Sequence, residues 1–167
     1  MKTLIRNLRL ESDDYLSLAD DAALPDSGKV IVSLDRLSRD CDVLPATGLA
    51  IGVRLANTID VAAVWQDISD RSLIALEFPG FPDGRAYSQA RLISERYQFA
   101  GELRATGKAV VRDQIEFMLR CGFTSFELRE GQDAAACLAA AHEFSLKYQQ
   151  AADHVTPIFV QRRRSGQ

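Results

Sequence analysis

The stretch LIALEFPGFPDGRAYSQARL, running from Leu73 to Leu92, contains a strand, a turn and a helix in immediate succession. Leu73–Phe78 is a near-continuous apolar run, as expected of a strand covered on both faces. Pro79, Gly80, Pro82 and Gly84 then supply turn geometry, and Asp83 is placed to cap a helix starting at Gly84 or Arg85. From Arg85 the apolar residues Ala86, Ala90, Ile93 and Tyr97 recur at helical spacing, which predicts a helix to Tyr97.

The same unit recurs downstream. GELRATG (Gly101–Gly107) reads as a strand, followed by a helix in RDQIEFMLRCG that packs Ile115, Met118 and Leu119 and stops at Gly122. SFELRE begins a third strand at Ser125, and DAAACLAAAHEFSLKYQ reads as a long helix aligning Leu138, Ala141, Phe144 and Tyr148. Upstream, KVIVSL and LAIGVRL read as strands, the second alternating Leu49, Ile51, Val53 and Leu55 against Ala50, Gly52 and Arg54. DVAAVWQDI is a helix capped by Asp60.

The repeat of about 25 residues is that of a βα unit. The expected fold is α/β: one domain with a mostly parallel β-sheet, either an open Rossmann-like sheet or a half βα-barrel. Residues 1–28 read as a small N-terminal arm, β or irregular, 29–160 as the α/β domain, and 161–167 as a frayed basic tail. VTPIFV, just before the tail, reads as an edge strand.

The chain has 167 residues and a net charge of −3, with no basic footprint to suggest nucleic acid or a membrane surface as partner. No apolar run approaches the ~18–20 residues that span a bilayer. MKTLIRNLRLESDD becomes charged too early for a secretory signal. Three cysteines, Cys41, Cys121 and Cys137, far apart and outside C-x-x-C pairs, fit a reducing compartment, so a cytoplasmic location is expected.

Templates for nucleotide binding and nucleophilic catalysis are missing from the sequence, and no cofactor is expected. His142 and His154 lack companions at metal-ligand spacing. Cys121 and Cys137 read as small buried hydrophobes, with a redox thiol as the alternative.

Ligands in such folds bind beyond the carboxyl ends of the strands. Three loops qualify: Glu77–Arg85, Arg104–Asp113 and Glu127–Asp133. They bring Glu77, Phe78, Phe81, Asp83, Arg85, Tyr87, Arg104, Arg112, Asp113, Glu127 and Arg129 to a candidate rim. Two readings stand for its arginines: pairing with neighbouring carboxylates at the sheet end, or holding a small oxyanion over the helix N-termini. Phe78 and Phe81 read either as packing or as contact surface for a protein partner.

FPGFPDGRAYSQARL, GELRATGKAVVRDQ and RCGFTSFEL together resemble the bacterial DUF934 family, with a likeness extending over roughly Ser33 to Tyr148. That family carries the label of an oxidoreductase of sulfite reduction and accompanies assimilatory sulfite reductase. The resemblance implies a place in sulfate assimilation and cysteine biosynthesis, with sulfite reductase as partner. It brings no catalytic residue. Three functions are then open: an accessory protein that docks on or assists sulfite reductase; an enzyme acting on a small sulfur oxyanion, with Glu77, Asp113 or Tyr87 moving protons; or a subunit that self-associates through the Ala-rich helix.

Overall fold

The computed structural model describes residues 3–165 except 145 and 154. Eight strands form one sheet: β1 (Leu4–Arg6), β2 (Arg9–Glu11), β3 (Tyr15–Ser17), β4 (Lys29–Ser33), β5 (Ala50–Leu55), β6 (Leu73–Phe78), β7 (Glu102–Gly107) and β8 (Ser125–Glu127). Their order is β2-β1-β8-β7-β6-β5-β4-β3. From β3 to β8 the neighbours are sequential and parallel. The expected mostly parallel sheet is nevertheless a mixed one, because β1 runs antiparallel to both β8 and β2. The strand order never reverses direction across β3–β8, which is the order of half a βα-barrel and not of a Rossmann sheet.

The sheet must curl strongly. β2 and β3 are its opposite edges, yet only residues 12–14 lie between them. Four Cα steps reach roughly 15 Å at most, whereas a flat sheet of this width would hold its edges roughly 34 Å apart. The segment expected to be a peripheral arm therefore bends the sheet, and it adds to the core: Leu4 and Ile5 are buried.

Between the parallel strands run α1 (Leu34–Arg39), α2 (Val61–Ile68), α3 (Arg85–Arg91), α4 (Ile115–Arg120) and, after β8, α5 (Ala134–Ala140). Period-two alternation sorts each strand. Val30, Val32, Ile51, Val53, Ile74, Leu76, Leu103, Ala105 and Phe126 join Leu37, Val61, Ile68, Ala86, Ile93, Ile115, Met118 and Cys137 of the helical layer in the main core. Asp60 caps α2 by accepting from the Ala62 N–H at 2.9 Å. α3 continues as a π-helical turn, Leu92–Arg96, after which Tyr97 stacks on Trp65 at 4.2 Å. Gly122 comes just after α4 at φ 98°, the left-handed stop expected there.

Two expectations near the C-terminus fail. The long Ala-rich helix ends at Ala140, and Phe144 and Tyr148 are exposed instead of completing its apolar face. The chain beyond is drawn onto α4: Lys147 pairs with Glu116, and the Gln149 carbonyl accepts from Arg120 at 2.6 Å. The predicted edge strand in VTPIFV is the start of a helix, α6 (Ile158–Ser165), opening directly after Pro157 and running into the segment expected to be a frayed tail. Among the described residues no helix is long and apolar enough to cross a membrane.

Candidate functional site

The face of the sheet turned away from the helices is polar, for a reason visible in β7. While Leu103 and Ala105 face the helices, Glu102, Arg104 and Thr106 face the concave side. Arg104 has no solvent exposure. A guanidinium removed from water must be paired to be tolerated. Its Nη1 donates to Asp13 Oδ2 at 2.8 Å, its Nη2 lies 2.8 Å from Glu102 Oε1, and its cation sits 5.4 Å from the Tyr15 ring centre. Glu102 also accepts from the Ser125 hydroxyl at 2.6 Å and lies 3.0 Å from Arg6 Nε. Asp14 joins Arg6 and Lys29 at 2.8 and 2.6 Å. The lower half of the concavity is thus a closed ionic network tied to the link between β2 and β3.

Above this network, at the carboxyl ends of the strands, the concavity opens. A cavity of ≈640 Å³ is lined by Arg54, Glu77, Thr106 and Glu127 from four parallel strands, with Thr3, Lys108 and the Arg129–Gln132 turn closing it. Arg54 Nη1 donates to the Ser17 hydroxyl at 3.1 Å. Among the described residues the Glu77 side chain has no hydrogen-bond or ion-pair partner. Gly107, at φ 105°, lets the chain leave β7 hard against β6, where the Lys108 N–H donates to the Phe78 carbonyl at 2.9 Å.

A shallower depression of ≈430 Å³ continues outward, lined by Phe81, Val111, Arg112 and Asp113, and shares Lys108, Arg129 and Gln132 with the inner cavity. Inner wall and outer rim therefore form one mouth, at the end of the fold where βα architectures bind ligands. A separate apolar cleft of ≈570 Å³ between the Asn7–Leu8 turn, α4 and Ala141, Phe144, Lys147, Ala152 and Val155 has less to offer chemically. Two of its cations, Arg120 and Lys147, are already paired with Asp153 and Glu116.

The structure gathers some of the expected rim and disperses the rest. Glu77, Glu127 and Arg129 meet in the inner cavity; Phe81, Arg112, Asp113 and Arg129 form the outer rim. Phe78 is buried, its ring 4.9 Å from Tyr87 and 5.7 Å from Phe123, so it packs the core instead of facing a partner. Tyr87 is half-buried and donates to Gln114 Oε1 at 2.6 Å. Burial pushes its phenol up to about 12, so the hydroxyl keeps its proton at neutral pH. Arg104 lies in the ionic network below the mouth and not in a loop.

Arg85 turns back on Asp83, with bonds of 2.9 and 2.7 Å, and with Arg85 as the leading cause the Asp83 carboxyl is held well below its usual range. Two of the three expected anion sites at helix starts are met by the chain's own carboxylates, and the third, at the Arg112 N–H, by the Gln132 amide oxygen. Asp133 accepts from the Ala135 and Ala136 N–H groups at 2.9 and 3.2 Å, and Asp83 lies 3.4 Å from the Arg85 N–H. Arg112 reaches Asp113 and Glu143 at 3.5 Å each.

Arg54, Thr106 and Lys108 are site residues that sequence reasoning missed. The signal was present: Arg54 stands out of phase with Leu49, Ile51, Val53 and Leu55, and alternation alone assigns it to the concave face.

Cys137 is buried, Cys121 partly buried and Cys41 exposed; burial raises the thiol pKa of the first two. His142 lies in the turn after α5, and His154 is outside the described residues. Among the described residues no three His, Cys, Asp or Glu side chains gather as a metal site requires.

A family model described as a bacterial protein of unknown function (DUF934) matches residues 52–159, from the middle of β5 into α6. No curated protein and no solved structure matches the chain.

Proposed function

Because the chain belongs to the DUF934 family, we propose that it serves assimilatory sulfite reduction in the cytoplasm as an accessory protein that docks on sulfite reductase through the barrel mouth. The resemblance in the three sequence blocks supplies the pathway. The observation that carries the docking surface is Phe81, two-thirds exposed on the outer rim beside Lys108, Arg112 and Arg129. A large aromatic ringed by cations on a turn stiffened by two prolines has the makeup of an interface anchor. It would meet an acidic surface around an apolar pocket.

Co-purification of the tagged chain with assimilatory sulfite reductase tests this reading. Complex formation is expected, with loss of at least about tenfold in affinity for Phe81→Ala combined with Arg112→Ala. Failure to bind, or binding that this double variant leaves unchanged, overturns it.

A second reading is favoured by the inner cavity: an enzyme, an oxidoreductase of sulfite metabolism among the options, acting on a small sulfur oxyanion. Arg54, Lys108 and Arg129 would orient the anion and Glu77 would move the proton. Calorimetric titration with sulfite and sulfate tests it; absence of binding below about 1 mM would end it. Self-association through the helix around α5 has little support, since that helix is short and its apolar residues Cys137 and Ala140 are buried within the same chain.

A further inference from the structure

The inner wall of the mouth holds two opposite charges that ignore each other. Arg54 on β5 and Glu77 on β6 both face the concavity; their register partners, Ala75 and Thr106, place them one pleat apart on adjoining strands. Residues so related stand roughly 7–8 Å apart, and somewhat less at their Cβ atoms, well within mutual reach for an arginine and a glutamate. They form no ion pair. Arg54 reaches in the other direction, over β4, to the Ser17 hydroxyl of β3. Glu77 has no partner among the described residues. Both are half-buried, so each is partly removed from water without a counter-charge.

That arrangement costs stability wherever nothing fills it. The network directly below shows what this chain does with charges it uses for structure: Arg104, Glu102, Asp13, Arg6, Asp14 and Lys29 are all paired. Arg54 and Glu77 have no ion pair among the described residues, and both line the open cavity, beside Lys108, Glu127, Arg129 and Glu130.

From this juxtaposition we infer that the inner mouth binds a small zwitterion of the α-amino acid type. The guanidinium of Arg54 takes the carboxylate, matching its two oxygens with parallel N–H donors. The carboxylate of Glu77 takes the ammonium, and the Thr106 hydroxyl beside it accepts a further N–H. The ligand's two charges close the gap that the protein leaves open, and the ≈640 Å³ cavity leaves room for a side chain towards Lys108, Arg129 and Gln132. A bare oxyanion satisfies Arg54 and leaves Glu77 facing a like charge, so the site discriminates against it. This inference uses the inner wall alone and stands independently of docking through Phe81.

The test screens the twenty proteinogenic L-amino acids singly against the full chain by thermal shift, then titrates the best calorimetrically beside its N-acetyl and carboxamide derivatives and beside sulfite. At least one amino acid is expected to bind below about 1 mM, with either derivative at least about tenfold weaker. Glu77→Gln and Arg54→Gln are each expected to weaken it at least about tenfold while leaving the melting temperature of the free protein unchanged or raised. If no amino acid binds in that range, the inference fails. It also fails if sulfite binds as tightly as any amino acid and Glu77→Gln does not weaken the amino acid; that result would favour the oxyanion enzyme. Either result leaves the sulfite reductase complex to be judged by its own co-purification.

Discussion

Arg104, in the middle of β7, donates at 2.8 Å to Asp13, which lies in the three-residue link between the two edge strands. One hydrogen bond thus joins the interior of the sheet to the segment that brings its edges together. Replacing Asp13 by Ala leaves a fully buried guanidinium with a single carboxylate. The expected loss is about 1.5–3 kcal/mol; Arg104→Ala, which leaves Glu102 with only Arg6 and the Ser125 hydroxyl, should lose more, about 3–5 kcal/mol. Urea denaturation followed by circular dichroism measures both. Loss below ~0.5 kcal/mol for Asp13→Ala would mean that the link is held by its length and not by its charge.

Asp14 gives the same link a pH dependence. Chiefly through the hydrogen bond from Lys29, its carboxyl titrates at about 2 instead of 3.8. A depressed carboxyl pKa stabilises the folded state above the unfolded value, and that contribution fades as the pH falls through the folded one. The contribution is therefore complete above roughly pH 4 and disappears towards pH 2. Comparing the acid limbs of wild type and Asp14→Asn by chemical denaturation checks this: the two should converge as the pH falls. Because Asp14 is substantially exposed, the effect should also shrink in high salt.

Gly107 is the backbone hinge of the mouth. At its φ of 105°, a Cβ would collide with the Phe78 carbonyl oxygen, which accepts the Lys108 N–H. Gly107→Ala is expected to cost well over about 1 kcal/mol. It should also displace Lys108, weakening any ligand of the mouth in step with the drop in melting temperature. Gly131→Ala, also at positive φ but with open space where its Cβ would lie, should cost only about 1 kcal/mol.

The three thiols should separate by rate with an aromatic disulfide reagent. Cys41 is exposed and should react at once; Cys121 is half-buried with its pKa raised by burial and should lag; Cys137 should wait for unfolding. Stopping the reaction at intervals and mapping the labelled peptides gives the order. A fast Cys121 would contradict its placement at the end of α4.

The βα run is readable from sequence because β6, β7 and their helices are long enough to display a period: LIALEF shows almost no polar break, and Asp60 and Gly122 mark helix ends by their chemistry. Glu102, Arg104 and Thr106, alternating in a strand of a sheet expected to be covered on both faces, already announce a polar interior. The N-terminal strands are not readable. LIR, RLE and YLS are three residues each, too short to establish alternation, and they are fixed by pairing: β1 with β8 from far along the chain, β2 with β1, and β3 with β4. Beyond Ala140 the helical pattern is real but loses to tertiary contacts, Lys147 with Glu116 and Gln149 with Arg120. Pro157, inside an apparent edge strand, stands instead where helices begin.

The antiparallel pairing of β1 with β8 also sets an order of events. During synthesis β1 precedes the other strands and can pair at once with β2, yet its second partner, β8, emerges only after all the other strands. Leu4 and Ile5, apolar and destined for full burial, must wait unshielded until then. Closure of so long a loop is slow, and the waiting segment is the part of the nascent chain most exposed to chaperones or to wrong partners.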